Sequence, residues 1–152
     1  LDLIWGVDLG VRSLHAFGLV EGGEPMALSV TVDKMETRSR ELKALGKKFY
    51  GFFDQDDTVF VEEPPLAGSR NIRVFAALNQ VFSVALCEAP NAYPVEVSTW
   101  KKQTTGKGNS TKDDVSRWLE EHHSPYSALC GDQNLIDAAC IAIYGRAVLS
   151  RL

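Results

Sequence analysis

The sequence predicts an α/β fold in which helices cover both faces of a five-stranded mixed sheet. Two observations predict it. Three strand-like runs open the chain in succession, which makes a meander. Strand and helix patterns then alternate, which adds strands through helical crossovers. The 152 residues suit one compact domain, 1–152, with enough apolar side chain for a real core.

Residues 3–9, Leu-Ile-Trp-Gly-Val-Asp-Leu, read as a buried strand ending near Gly10. Residues 14–20 and 26–32 read as two further strands, with Glu21-Gly22-Gly23-Glu24 as a hairpin turn between them. Over 36–53, Leu42, Leu45, Phe49 and Phe52 or Phe53 recur at helical spacing with basic residues between them. Thr58 to Glu62 is a β-branched and aromatic strand stopped by Pro64-Pro65, and 66–70 is a loop. Residues 71–88 form a helix that is apolar nearly all round, through Ile72, Val74, Phe75, Leu78, Val81, Phe82, Val84 and Leu86. Either this helix is buried centrally or its outer side is a homodimer seam. Tyr93 to Val97 is a fifth strand, and 99–109 is a flexible loop containing Thr104-Thr105-Gly106-Lys107-Gly108-Asn109. Ser110 caps a helix over 111–121 whose inner face is Val115, Trp118 and Leu119. After a loop around Ser124-Pro125, a last helix covers 133–150.

Composition narrows the function classes. No apolar run reaches the roughly 18–20 residues that span a bilayer, so no membrane association is expected. The N-terminus shows no secretion-signal pattern. Cys87, Cys130 and Cys140 are odd in number and irregularly spaced, with Cys87 and Cys140 inside apolar helical patterns. That reads as buried thiols in the reducing cytoplasm. They form no C-x-x-C pair, and His15, His122 and His123 have no zinc-like spacing to them. The net charge of −4 argues against a polyanion partner, but from Ser98 to Trp118 the chain carries Lys101, Lys102, Lys107, Lys112 and Arg117 against Asp113 and Asp114. Such a stretch is either a solvated face or a phosphate grip beside an acidic pocket.

Three carboxylates sit in apolar sequence. Asp8 ends a buried strand, where an unpaired charge costs several kcal/mol. A turn-forming role beside Gly10 is its ordinary alternative. Glu62 and Glu63 follow Val59-Phe60-Val61, and adjacent strand residues point to opposite faces, so only one can share a face with Asp8. Glu63 is the easier to read as solvated. Asp137 lies in Leu-Ile-Asp-Ala-Ala-Cys-Ile-Ala-Ile, with Gln133 and Asn134 one turn earlier. Asp132, at the helix start, is either an N-cap or a fourth acid. Carboxylates brought close together repel unless cations lie between them, and oxygen-only ligands select Mg²⁺ or Mn²⁺. Two such ions activate a water and stabilise the leaving oxygen in phosphodiester cleavage.

Gly6-Val7-Asp8-Leu9-Gly10, the strand ending in Glu62, Lys102-Gln103-Thr104 with Gly106-x-Gly108 and Lys112, and Asp137-Ala138-Ala139-x-Ile141-Ala142 together resemble the RuvC resolvases. These enzymes have the ribonuclease H-like fold. Each motif alone is weak, and Gly-x-Asp-x-Gly is shared with actin-like kinases. Their order and spacing over about residues 3–148 carry the resemblance. It implies a homodimer, joined partly through helix 71–88, that binds a four-way (Holliday) DNA junction and nicks two opposing strands. It places Asp8, Glu62 and Asp137 in the metal-binding cluster, with Glu62 preferred to Glu63 because the family's Glu directly follows the last apolar residue of its strand. It matches Lys102 to a basic residue near the scissile phosphate and Lys112 to a backbone contact. Lys101, Lys107 and Arg12 extend that DNA-binding set.

The chain departs from the family three residues before its last Asp, where an acid or His is usual and Asn134 stands here. Asn134 can bind a hard cation only as a neutral ligand, and Asp132 is the other residue that could complete the site. Pro64-Pro65-Leu66 supplies no aromatic ring to stack on an unpaired base. A nuclease acting on flaps or forks and a junction-binding module without catalysis are the alternatives. An actin-like phosphotransferase needs two lobes and a nucleotide-phosphate pattern that 104–109 does not match. No small-molecule cofactor is expected.

Overall fold

The computed structural model describes residues 2–65 and 71–152; the loop expected at 66–70 lies outside them. Strands β1 (Ile4–Gly10), β2 (Ser13–Leu19) and β3 (Met26–Thr31) form the meander. Helix α1 (Arg38–Phe49), strand β4 (Thr58–Glu62), helix α2 (Ile72–Glu88) and strand β5 (Ala92–Val95) follow. Helices α3 (Val97–Thr105), α4 (Lys112–His122), α5 (Ser124–Leu129) and α6 (Gln133–Leu149) complete the order. The sheet has the order β3-β2-β1-β4-β5. β1 runs antiparallel to β2 and parallel to β4, so the five-stranded mixed sheet is as expected.

Alternation along the strands separates two cores. Trp5, Val7, Leu14, Ala16, Val59 and Val61 face α1 and α2, meeting Leu45, Phe49, Val81 and Ala85. Phe17, Leu19 and Phe60 face the other way, toward Trp100 of α3, Val115 and Leu119 of α4, and 138–142 of α6. Gly6 lies on this second side, where a Cβ would stand 2.1 Å from the Ala138 carbonyl oxygen and 2.3 Å from the Ala142 nitrogen. The missing side chain lets α6 lie directly on β1, which fixes Asp137 against the strand that carries Asp8. Gly6→Ala therefore forces backbone apart. The expected loss is about 1–3 kcal/mol of stability in chemical denaturation, together with loss of whatever depends on the Asp8–Asp137 approach.

Several local expectations need correction. Residues 97–105, expected to be strand end and flexible loop, form helix α3. The Lys-Lys-Gln-Thr-Thr run obscured Val97 and Trp100, three residues apart and facing inward, and Gly106 ends the helix in the left-handed conformation at φ 88°. The cap of α4 is Thr111, not Ser110. Thr111 accepts from the Asp114 N–H and the Asp114 side chain returns to the Thr111 N–H, a reciprocal capping box. Ser110 is instead buried and donates to the Lys107 carbonyl at 2.6 Å. The segment at Ser124-Pro125 is the first turn of short helix α5, where Pro is tolerated because its missing N–H has no helical partner. Cys87, expected to be buried, is exposed on α2. Burial pushes the Cys130 thiol up to about 11 and raises that of Cys140 as well, which leaves both unreactive.

Candidate functional site

Asp8 and Glu62 are brought together by register. β1 and β4 pair in parallel, Gly6 beside Phe60 and Val7 beside Val61, so the next residues along each strand are the two acids. Glu62 follows Phe60 on the α6 side of the sheet, the side on which Gly6 and Asp8 lie. Asp137 comes down from the first turns of α6. The three therefore converge at the carboxyl ends of the two central strands, where open α/β sheets hold their ligands.

The site is electrostatically strained. Asp8 is only 8% exposed. Burial, and then the charges of Glu62 and Asp137, hold its carboxyl well above the ordinary range, against a hydrogen bond from the Leu9 backbone. Glu62 is pushed up to about 7, mainly by burial and further by Asp137; the Trp100 hydrogen bond and Lys101 oppose this. Asp137 is raised by burial, against a hydrogen bond from Gln133 and the charges of Lys101 and Lys112. Two neutral donors hold the ends of the cluster. The Trp100 indole N–H donates to Glu62 Oε2 at 2.8 Å, and the Gln133 amide donates to Asp137 Oδ1 at 3.0 Å. Among the described residues no ion pair within 4.0 Å involves any of the three acids.

A cavity of about 30 Å³ lies between Asp8, Leu9, Glu62, Glu63, Pro64, Pro65 and Leu78. That is space for a water-sized species, not for an organic ligand. A much larger groove, about 890 Å³, runs between α1 and α2 and contains none of the three acids.

Among the described residues no three His, Cys, Asp or Glu side chains form a ready-made ion cage. The donor set nevertheless fits a hard divalent cation. It consists of carboxylate oxygens alone, Asp8 is buried and Glu62 and Asp137 half-buried, its members repel, and among the described residues no protein cation stands within ion-pair distance of it.

The other expected site residues divide. Asp132 is the N-cap of α6, accepting from the Leu135 N–H at 2.9 Å, so its capping role is what the contacts display. Its charge still reaches Asp8, which places it near the site. Asn134 is exposed in the first turn of α6. Of the adjacent lysines, Lys101 and not Lys102 acts on Glu62 and Asp137; Lys102 is exposed. Lys101 also donates to the Ser110 carbonyl at 3.0 Å, tying α3 to the turn before α4. Lys112 acts on Asp137 from the start of α4, and Lys107 lies exposed in the turn between these helices. Arg12 stands 3.9 Å from Glu41, a carboxylate that Arg38 holds more closely at 3.0 Å.

Sequence reasoning missed Trp100, hidden by the loop assignment, and His15. His15 is 8% exposed and faces Asp8 across the β1–β2 ladder, with its ring nitrogens 2.9 Å from Ser29 Oγ and 3.1 Å from Ser13 Oγ. An isolated His in a strand gives no signal of such a place.

The sheet order and the helices on its two faces define an α/β protein of the ribonuclease H-like fold. Within that fold the chain is similar to Thermus thermophilus RuvC, with a TM-score of 0.71, 18% identity, and coverage of 98% of this chain and 95% of that one. It is likewise similar to T. thermophilus RuvC in complex with a Holliday junction substrate, with a TM-score of 0.73, 16% identity, and coverage of 99% and 97%. No protein-family model and no curated protein sequence matches the chain. The likeness is thus one of fold over nearly the whole length.

Proposed function

We propose that this protein is a RuvC-type nuclease that cuts four-way DNA junctions with the help of divalent ions. The observation that carries the reading is the convergence of Asp8, which is buried, with the half-buried Glu62 and Asp137, none of them in an ion pair among the described residues, at the carboxyl ends of β1 and β4 in a fold similar to RuvC. These three would hold Mg²⁺ or Mn²⁺, two ions by the resemblance, with Asp132 close enough to add its charge. A bound divalent ion supplies an activated water and a counter-charge for the leaving oxygen in phosphodiester hydrolysis. The chain's own part is to exclude bulk water around Asp8, to fix Glu62 through Trp100 and Asp137 through Gln133, and to grip phosphate. Lys101, Lys102, Lys107 and Lys112, on α3, α4 and the turn between them, offer that grip beside the acids; Arg12 is a more distant contributor.

The deciding assay is cleavage of a synthetic four-way junction with Mg²⁺ or Mn²⁺, beside a fork, a flap and a linear duplex. Selective cutting of the junction supports the reading, and better cutting of fork or flap moves the substrate to branched DNA in general. The exposed, uncharged Asn134 favours a second reading, a junction-binding module without catalysis. Binding without scission, with cleavage restored in Asn134→Asp, is its signature. Phosphate contacts release counterions, so Lys107→Ala and Lys112→Ala should each weaken junction binding uniformly across sequences. Each should also lower the slope of log affinity against log salt by about one, measured by fluorescence anisotropy.

Ile72 is 81% exposed and Val74 is 43% exposed on α2, while Val81 and Ala85 provide its buried contacts. This apolar surplus supports a homodimer through α2. Ile72→Asp with Val74→Asp should leave the fold intact and shift sedimentation toward a monomer. Among the described residues no helix is long and apolar enough to cross a membrane. The free thiols fit the proposed cytoplasmic location.

A further inference from the structure

The two neutral hydrogen bonds at the acidic cluster have the same geometry of effect. Trp100, fully buried in α3, commits Glu62 Oε2 to its indole N–H at 2.8 Å. Gln133, in the first turn of α6, commits Asp137 Oδ1 to its amide at 3.0 Å, and its own oxygen is held 3.1 Å from the Ser116 hydroxyl. Each carboxylate thus has one oxygen held by a neutral donor, which fixes its rotation and weakens that oxygen as a ligand relative to the other. The donors sit on different helices and are themselves anchored, Trp100 by packing and Gln133 by Ser116 of α4. Carboxylate denticity separates the common hard cations. Ca²⁺ takes six to eight oxygens and readily uses both oxygens of one carboxylate, whereas Mg²⁺ is octahedral and takes carboxylates through a single oxygen.

Building on the metal-site reading above, we infer that Trp100 and Gln133 are positioning residues that make Glu62 and Asp137 one-oxygen ligands, and so bias the centre toward small octahedral ions over Ca²⁺. Each acts by holding one oxygen of a carboxylate, and neither is charged, so their removal changes the shape of the donor set without changing its net charge.

The test is a thermal-shift titration of the whole chain with MgCl₂ and with CaCl₂ at constant ionic strength. It gives an apparent dissociation constant for each ion from the ligand dependence of Tm. Trp100→Phe removes the indole donor, and Gln133→Met removes the amide donor at near-constant volume. The expected result is that the Ca²⁺/Mg²⁺ ratio of dissociation constants falls about fivefold or more in both variants, because each frees a second oxygen for Ca²⁺. If Trp100→Phe does not fold, Gln133→Met alone decides. A parallel loss of both affinities, or an unchanged ratio, overturns the inference while the metal site stands. If neither ion shifts the unmodified protein, the metal-site reading falls and the inference with it.

Discussion

Asp8→Asn is expected to abolish junction cleavage and, at the same time, to make the metal-free protein more stable. The two effects share a cause. Asp8 is buried, and the charges of Glu62 and Asp137 add to the cost of ionising it. An amide of the same shape removes that cost, so the melting midpoint without divalent ions should rise, by about 1–3 kcal/mol in unfolding free energy. The same substitution removes the most buried charge of the proposed ion site, and cleavage in Mg²⁺ should fall by about three orders of magnitude or more. A merely structural Asp8, one that forms a turn through the Leu9 backbone, predicts the opposite pair: lower stability and near-normal cleavage. Calorimetry and a junction assay on one preparation separate them.

The second large effect is on the pH dependence of stability. Asp8, Glu62 and Asp137 all have carboxyls raised above their ordinary values, so the folded chain holds these protons after the unfolded chain has released them. The folded state then binds more protons than the unfolded state between the ordinary carboxylate range and the raised values. Stability therefore falls as pH rises through that window, from about 4.5, the ordinary Glu value, to about 7, where Glu62 ionises. Glu41 and Asp114 act in the other sense. Both are lowered, first by backbone hydrogen bonds, from Met35 and from Thr111, and the stability they contribute is lost only as pH falls below the ordinary range. The metal-free protein should thus be most stable in mild acid and lose stability toward neutrality. Millimolar Mg²⁺ should reverse this loss, with little effect in acid, because the ion binds the ionised cluster alone. Thermal melts across pH with and without Mg²⁺ measure it. A profile that rises toward neutrality without metal would contradict the convergence of the three acids.

Much of the geometry behind these effects is legible in the sequence. The alternation in Thr58 to Glu62 puts one acid on the face of Phe60, and the buried strand before Asp8 aligns with it. Asp137 stands out because a carboxylate in an apolar helix needs a reason to be there. The close approach of α6 to β1 rests on Gly6, whose need for space is visible only once the Ala138 backbone is known to lie over it. Helix α3 was hidden because its polar residues outnumber its inward-facing ones, and Trp100 was hidden with it. The choice between Lys101 and Lys102 could not be read from motif spacing, since adjacent residues on a helix point about 100° apart and only the packing of Trp100 sets the rotation. Asp132 could be weighed both as cap and as acid because both descriptions are physically sound at a helix start. The contacts display the cap, and proximity to Asp8 adds the charge.

The most direct measurement is anomalous diffraction at the manganese edge from crystals grown with Mn²⁺. The account predicts a peak enclosed by the carboxylates of Asp8, Glu62 and Asp137, absent in Asp8→Asn. A peak elsewhere, or no peak among those three side chains at saturating Mn²⁺, would contradict it.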